Sequence, residues 1–267
     1  MVLGLTTDCY SWDKNCLDSK NNINSKLLPS IQFNQIHYDL KNKDHDQLFL
    51  STVFCKNYQD KFNLLIDEQT QKMSEELRKI YHYLSEHTGT NFHTNVDAWI
   101  LHQYLEAKAN SGGPLEPWMQ DLLANGILTN LTIENFQTKS ATPQMRRLLG
   151  GNFINKFLQN IDDYLHGAKT RLFMYVGDDY HIAGLLSALR LYDGKHIPNY
   201  GSYIALEVHE FYGKLSIVVK YNNGRSDPSQ TELLSLPGYN LPFCPLSNFK
   251  TIVEENTLKN FPGECSN

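Results

Sequence analysis

The chain has 267 residues, a net charge of −5 at neutral pH and a pI of about 6.0. Hydrophobic residues make up 41% and aromatic residues 12% of the sequence, a composition typical of a folded protein with a sizeable core. An acidic chain of this kind argues against a nucleic-acid partner, and no apolar run is long enough to span a membrane.

The compartment and the cysteine pairing stay open at this stage. No signal-peptide pattern opens the sequence, so either Met1 precedes an already processed chain or the protein is cytosolic. The 5 cysteines fit either one or two disulfides or free buried thiols. None has the spacing of a zinc site, so we expect neither a metal nor a cofactor. The sequon Asn130-Leu131-Thr132 is weak evidence for secretion.

The first 50 residues are polar with short apolar pieces, and helical patterns begin after them. Between Asn57 and His87 apolar side chains recur at helical spacing, and Thr88-Gly89 ends the pattern. Two further helices are predicted, from Val96 to Lys108 and from Trp118 to Ala124.

The second half of the chain combines helices with strands. Thr142-Pro143 predicts the start of a long helix, because Thr caps a helix and Pro suits its first turn. A strand over Arg171–Gly177 precedes helix 180–192, and Tyr212-Gly213 lies in a β-hairpin pattern. A last helix covers 245–255. We predict an α/β fold in a single domain, 1–267, with α/β parts at about 1–54 and 141–267 and a mainly helical insertion at about 55–140.

Six pieces of the sequence resemble the histidine acid phosphatases, in the order in which that family has them. They are Leu5-Thr6-Thr7-Asp8, Ile36-His37 with Asp46-Gln47-Leu48, Arg147-Leu148-Leu149-Gly150-Gly151, Gly177-Asp178-Asp179-Tyr180, Leu236-Pro237-Gly238 with Cys244-Pro245-Leu246, and Glu264-Cys265. The resemblance implies a histidine-phosphatase-like (phosphoglycerate-mutase-like) sheet flanked by helices. It also implies a Cys55–Cys265 disulfide, whereas Tyr239 stands where the family has the partner of Cys244.

The same pieces depart from the family at the residues that perform its chemistry. The family uses a histidine in an Arg-His-Gly motif, arginines that neutralise phosphate, and a His-Asp pair that protonates the leaving group. The 267 residues contain no Arg-His-Gly. Leu5 replaces an arginine and Asp178 replaces the histidine of the His-Asp pair, whereas Asp179 keeps the position of the acid. We therefore expect that the N-terminal catalytic strand is missing and that the protein is not an enzyme.

These replacements reverse the expected charge of the pocket. Asp8, Asp178 and Asp179 would converge without arginines, so the pocket would repel a phosphate dianion and attract a primary ammonium. Aromatic side chains near these acids would stack on a ring and stabilise a cation. The aromatic candidates are Tyr10, Trp12, Trp99, Trp118 and Tyr180. The pattern indicates a site for a small aromatic amine such as serotonin or a catecholamine.

The sequence is also similar to the acid-phosphatase-like salivary proteins of blood-feeding insects, especially those of fleas. That resemblance implies a secreted, non-catalytic scavenger of biogenic amines, with cysteinyl leukotrienes as a second ligand class. Such a protein would counter vasoconstriction, platelet activation and inflammation. Its partners would be small host mediators, with neither nucleic acid nor membrane among them.

Two other functions and several structural roles compete with this interpretation. The chain could retain phosphomonoesterase activity, or it could bind a host protein through an exposed apolar patch. Asp179 could serve only to cap the helix that follows it. Trp99 and Trp118 lie at helical spacing with apolar neighbours, which is typical of core residues.

Overall fold

Residues 48–224 and 228–265 are described by a computed structural model, and helices dominate residues 48–188. Their bounds are α1 Ser51–Phe54, α2 Lys56–Gln71, α3 Glu75–Thr88, α4 Asn95–Asn110, α5 Pro117–Ala124, α6 Ile127–Lys139, α7 Pro143–Arg146, α8 Asn152–Leu165 and α9 Asp179–Ala188. A π-helical turn, Arg147–Gly151, joins α7 to α8. The predicted helix start at Thr142-Pro143 is confirmed, because the Thr142 side chain accepts the N–H of Met145.

Two features of this helical region differ from the prediction. The pattern between Asn57 and His87 forms two helices rather than one, because Ser74 caps α3 by accepting the N–H of Leu77. Helix α6 was not predicted at all. Its buried face includes the polar residues Thr132, Asn135 and Thr138, so its sequence lacks a clear apolar stripe.

The strands follow the helices and form one antiparallel sheet. Its members are β1 Tyr203–Phe211, β2 Lys214–Asn222, β3 Glu232–Leu234 and β4 Phe243–Pro245. Strand β2 is central, with β1 along one edge and both β3 and β4 along the other. The predicted hairpin is confirmed: Tyr212 and Gly213 have φ values of 51° and 72°, as the two-residue turns that suit twisted strands require. Helices α10 (Leu246–Val253) and α11 (Phe261–Cys265) end the described chain.

The predicted strand Arg171–Gly177 is wrong for the part of the chain that the structure describes. These residues have no strand assignment, and five consecutive large hydrophobic side chains are exposed. They are Leu172, Phe173, Met174, Tyr175 and Val176. A strand exists only when a neighbour pairs with it, and among residues 48–224 and 228–265 none does.

Three buried clusters hold the elements together. One joins α3, α4, α5 and α6 around Leu84, Leu105 and Leu128, and another packs α8 and α10 on β2. The third surrounds the Cys55–Cys265 disulfide, which confirms the pairing that the family resemblance implied. Cys244 is buried and unbridged. The fold is the expected α/β arrangement with helices around a sheet, while the predicted domain boundaries stay a prediction. None of the described helices is long and apolar enough to cross a bilayer.

The π-helical turn contacts α9 so closely that it requires glycine. A Cβ at Gly150 would lie 2.2 Å from the carbonyl oxygen of Gly184, which is backbone and cannot move aside. We expect Gly150→Ala to lower the free energy of unfolding by about 3 kcal/mol, since overpacking that displaces backbone costs this much. Urea denaturation measures the change.

Gly263→Ala is the matched control for that substitution. Its added Cβ would lie 2.3 Å from the amide of Asn260, the flexible end of a side chain that can rotate away. We expect a loss of less than about 1 kcal/mol. Equal losses for the two variants would contradict the close helix contact at Gly150.

Candidate functional site

Asp179 is the first residue of α9 and is tied to α4. Both of its carboxylate oxygens accept from Nε2 of Gln103, at 3.0 and 3.2 Å, and Oδ1 accepts the N–H of Tyr180 at 2.7 Å. The start of a helix suits a carboxylate, because unpaired backbone N–H groups point toward it. The hydrogen bonds from Gln103 fix the direction in which the acid faces.

Aromatic rings from three helices meet beside the start of α9. The rings of Trp99 in α4 and Tyr180 in α9 meet edge to face, with centroids 6.0 Å apart and planes at 84°. Phe62 of α2 adds a third ring. The indole nitrogen of Trp99 is buried and has no hydrogen-bond partner among the described residues. A buried donor of this kind can satisfy a hydroxyl oxygen of a ligand.

The last residue of α6, Lys139, directs its ammonium into these rings. Its Nζ lies 4.8 Å from the ring centroid of Phe62, 5.0 Å from Trp99 and 5.4 Å from Tyr180, all within cation–π range. Burial lowers the pKa of Lys139 to about 8, although the Asp179 carboxylate opposes that shift. We call these five residues, Phe62, Trp99, Lys139, Asp179 and Tyr180, the Asp179 cluster. It holds a primary ammonium that belongs to the protein itself.

The electrostatics of the neighbouring groups agree with a partly buried acidic site. Burial raises the pKa of Tyr180 to about 12, and the carboxylates of Asp178 and Asp179 add to the rise. Burial lowers the pKa of His102, while Glu106 and Asp179 act in the opposite direction. Both shifts favour the neutral side chain, so the charged groups of the cluster are the Asp179 carboxylate and Lys139, with Asp178 beside them.

Asp178 lies beside the cluster and is mostly exposed to solvent, with 71% of its side chain accessible. Its backbone N–H donates to Nδ1 of His181 at 3.1 Å, and Nε2 of His181 donates to the carbonyl oxygen of Phe49 at 3.1 Å. A ring nitrogen that accepts from a backbone N–H cannot itself carry a proton, so His181 is neutral and orients the start of α9. The Asp178 carboxylate lies 4.0 Å from the His181 ring, and its solvent-exposed side is accessible to a ligand.

Of the predicted site residues that the structure describes, three come together, while Asp178 lies beside them and Trp118 lies apart. Trp99, Asp179 and Tyr180 belong to the Asp179 cluster, whereas the indole of Trp118 donates to Glu116 and contacts the ring of His87. Asp8, Tyr10 and Trp12 lie outside the described residues.

Sequence reasoning missed Phe62, His102, Gln103 and Lys139. Lys139 carried no signal because its helix was not predicted, and Gln103 lies within a predicted helix without any motif. In the parts of the chain that the structure describes, no three His, Cys, Asp or Glu side chains are placed to hold a metal ion.

Comparisons with known proteins identify the family. A family model, the histidine phosphatase superfamily (branch 2), matches residues 5–227. The venom acid phosphatase of Apis mellifera is 27% identical over 232 residues, which are 80% of this chain and 58% of that protein. The prostatic acid phosphatase of Bos taurus is 25% identical over 245 residues, which are 89% of this chain and 62% of that protein.

These relatives are longer than the matched region, since the alignments cover only 58% and 62% of their length. The family model, in contrast, covers most of the present sequence and includes the Asp179 cluster. On that evidence the chain belongs to branch 2 of the histidine phosphatase superfamily, as an acid-phosphatase-like member.

Proposed function

We propose that this protein is a non-catalytic member of its family that binds a small aromatic amine against Asp179. The observation that carries the proposal is Lys139, whose ammonium already lies among three aromatic rings near this carboxylate. A site that stabilises one primary ammonium has the chemistry to stabilise another. The unpartnered indole N–H of Trp99 supports a ligand that also carries a hydroxyl group.

We propose the loss of catalysis on the basis of Asp178. The family's acid catalyst is a His-Asp pair, and Asp178 stands at the position of its histidine. Two adjacent carboxylates would repel a phosphate dianion, and the Lys139 ammonium offsets only one of them. Steady hydrolysis of p-nitrophenyl phosphate at acid pH by the purified protein would contradict this part of the proposal.

The biological setting is proposed from the relatives and from the sequence resemblance. One relative is described as a venom acid phosphatase, which supports a secreted protein, and the disulfide supports an oxidising compartment. We place the protein in the saliva of a blood-feeding insect, where it would sequester serotonin and catecholamines. Cysteinyl leukotrienes would be a second ligand class, and vasoconstriction, platelet activation and inflammation would be the host responses that it counters.

Isothermal titration calorimetry with serotonin tests the amine site. We expect one-to-one binding and a loss of about tenfold in affinity in Asp179→Asn, because a charge-assisted hydrogen bond contributes about 1.5–3 kcal/mol. Asp178→Ala is predicted to weaken binding by about tenfold if its exposed carboxylate also faces the ligand. Glu116→Gln is the control, since Glu116 pairs with Trp118 outside the cluster. Unchanged affinity in Asp179→Asn would remove this residue from the site.

A second candidate function is supported by the exposed run Leu172–Val176. Such an apolar segment is typical of a protein-binding surface, so a host protein could be the partner instead of a small molecule. The two candidates give different calorimetric results. Serotonin binding that Asp179→Asn weakens favours the amine site, whereas no heat with serotonin or norepinephrine favours the protein partner.

A further inference from the structure

A cavity of about 600 Å³ lies among α2, α3, α4 and α6, and none of the predicted site residues that the structure describes lines it. Its apolar wall consists of Leu65, Ile66, Met73, Leu77 and Tyr81. We call this space the four-helix cavity. Its volume is within the range of about 300–1,000 Å³ that small-molecule sites occupy. It is therefore large enough for a ligand with an apolar body.

One polar atom at this cavity has no partner. Asn95 is only 7% exposed, and its Oδ1 is buried without a hydrogen bond among the described residues. Its Nδ2 donates to Gln69 Oε1 at 3.1 Å, Gln69 Nε2 donates to Thr138 Oγ1 at 2.8 Å, and the Thr138 hydroxyl donates to the carbonyl oxygen of Glu134 at 2.8 Å. These three hydrogen bonds fix the orientation of the Asn95 amide, so its Oδ1 is an acceptor without a donor among the described residues. A buried acceptor without a donor costs about 1–3 kcal/mol.

The charges around the four-helix cavity are unequal in sign. Its one lysine already faces an acid, since Lys72 Nζ lies 3.9 Å from Glu68, and the ring of His93 lies 3.6 Å from the Asp97 carboxylate. The Glu134 carboxylate forms no ion pair within the described residues. The Glu134 charge is felt at the cavity wall. Burial raises the pKa of Tyr81, and the nearby Glu134 carboxylate raises it further. The Glu134 carboxylate and Asn95 Oδ1 can therefore both accept a hydrogen bond from a ligand.

We propose that the four-helix cavity is a second ligand site, built for an amphipathic organic cation. The apolar chain of the ligand lies against Leu65, Met73 and Leu77, and its ammonium donates to Asn95 Oδ1 and the Glu134 carboxylate. An anion of the same shape would meet two acceptors and no free cation. This site is independent of the Asp179 cluster, and a ligand can occupy it whether or not serotonin binds there.

Calorimetry with octylammonium chloride tests the second site, with octanoate as the anion of equal length. We expect octylammonium to bind the wild-type protein at least tenfold more tightly than octanoate, because only the cation satisfies both acceptors. Glu134→Gln is expected to weaken octylammonium binding by at least tenfold. The side chain of Glu134 is exposed to solvent, so we expect this variant to fold normally.

Two further variants decide between the possible outcomes. Asn95→Leu is expected to weaken octylammonium binding with little net change in melting temperature, because the removal of a buried unpaired acceptor is offset by the loss of the Asn95–Gln69 hydrogen bond. Glu116→Gln is expected to leave octylammonium affinity unchanged, because Glu116 pairs with Trp118 outside both the cavity and the Asp179 cluster. The proposal is overturned if octylammonium does not bind, if octanoate binds as tightly, or if Asp179→Asn weakens binding while Glu134→Gln does not. The last outcome would place the cation in the Asp179 cluster.

Discussion

Replacing Lys139 with methionine is expected to tighten serotonin binding by about thirtyfold. An incoming ammonium must either displace the Lys139 ammonium from the Asp179 cluster or lie beside it. Two positive charges about 5 Å apart repel by about 3 kcal/mol at an effective dielectric constant of about 20. A thirtyfold gain in affinity corresponds to relief of about 2 kcal/mol of this repulsion. Methionine keeps the length and the apolar stem of lysine without its charge. Calorimetry at pH 7 measures the change.

The pH dependence provides the control for this prediction. Because the pKa of Lys139 is about 8, its charge is lost between pH 7 and 9, whereas an alkylammonium ligand stays protonated. Serotonin should therefore bind the wild-type protein roughly tenfold more tightly at pH 9 than at pH 7. Lys139→Met should bind tightly at both pH values, and Lys139→Arg weakly at both, since arginine keeps its charge. Weaker binding in Lys139→Met would contradict competition by Lys139.

The change in folding stability caused by Lys139→Met is expected to depend on pH in a defined direction. The pKa of Lys139 is lower in the folded protein than its ordinary value near 10.5, so the unfolded chain binds more protons between pH 8 and pH 10.5. The contribution of Lys139 to folding stability therefore rises as pH increases from about 8 to 10.5. Below about pH 8 the lysine is charged in both states, and its buried charge destabilises the folded protein. Lys139→Met should raise the melting temperature more at pH 7 than at pH 10.5.

Removing the Cys55–Cys265 disulfide is expected to cause the largest loss of stability. The bridge links residues separated by 210 positions, and in the chain-entropy model a loop of this length contributes about 5 kcal/mol. Both cysteines lie in a cluster with Tyr58, Met145 and Leu148, so the bridge also fastens α11 to α2. We expect the double variant Cys55→Ala/Cys265→Ala to melt at least about 10 °C below the wild-type protein.

Cys244→Ala is the matched control for the disulfide, because Cys244 is a buried cysteine without a bridge. This variant loses only the packing of one sulfur atom and should melt within about 4 °C of the wild-type protein. Reducing agent should lower the melting temperature of the wild-type protein to that of the double variant. Equal melting temperatures for the double variant and Cys244→Ala would show that the bridge adds no stability.

Sequence patterns predicted the elements whose ends are set by local chemistry. Thr142-Pro143 and Gly89 mark helix ends because capping and positive φ depend on the residue at that position. Tyr212-Gly213 marks the hairpin for the same reason. The Cys55–Cys265 pairing came from the family resemblance, since the spacing of the cysteines left several pairings open.

Two errors of the sequence analysis, a missed helix and a wrongly predicted strand, occur where tertiary contacts decide the structure. Helix α6 buries Thr132 and Asn135 together with Leu128, Leu131, Ile133 and Phe136, so its buried face mixes polar and apolar residues and shows no clear hydrophobic periodicity. The segment 171–177 has the composition of a strand, but a strand also needs a partner, which composition does not supply. Local propensity was outweighed by the surroundings in both cases.

The candidate site was predicted in part for a similar reason. Asp179 and Tyr180 belong to a motif that resembles the family, and Trp99 was a conspicuous aromatic residue in the helical region. Lys139 has no motif, and its position among three rings depends on the packing of α2, α4, α6 and α9. Its presence changes the expected chemistry, because a purely acidic pocket becomes one that already contains a cation.

The most direct test of the proposed amine site is a crystal structure of the protein with serotonin. We predict that the serotonin nitrogen lies within about 3.2 Å of an Asp179 carboxylate oxygen, with the indole against Trp99 and Tyr180 and with Lys139 displaced from the rings. Serotonin bound elsewhere, for example in the four-helix cavity, with Lys139 still held by Phe62, Trp99 and Tyr180, would contradict the account.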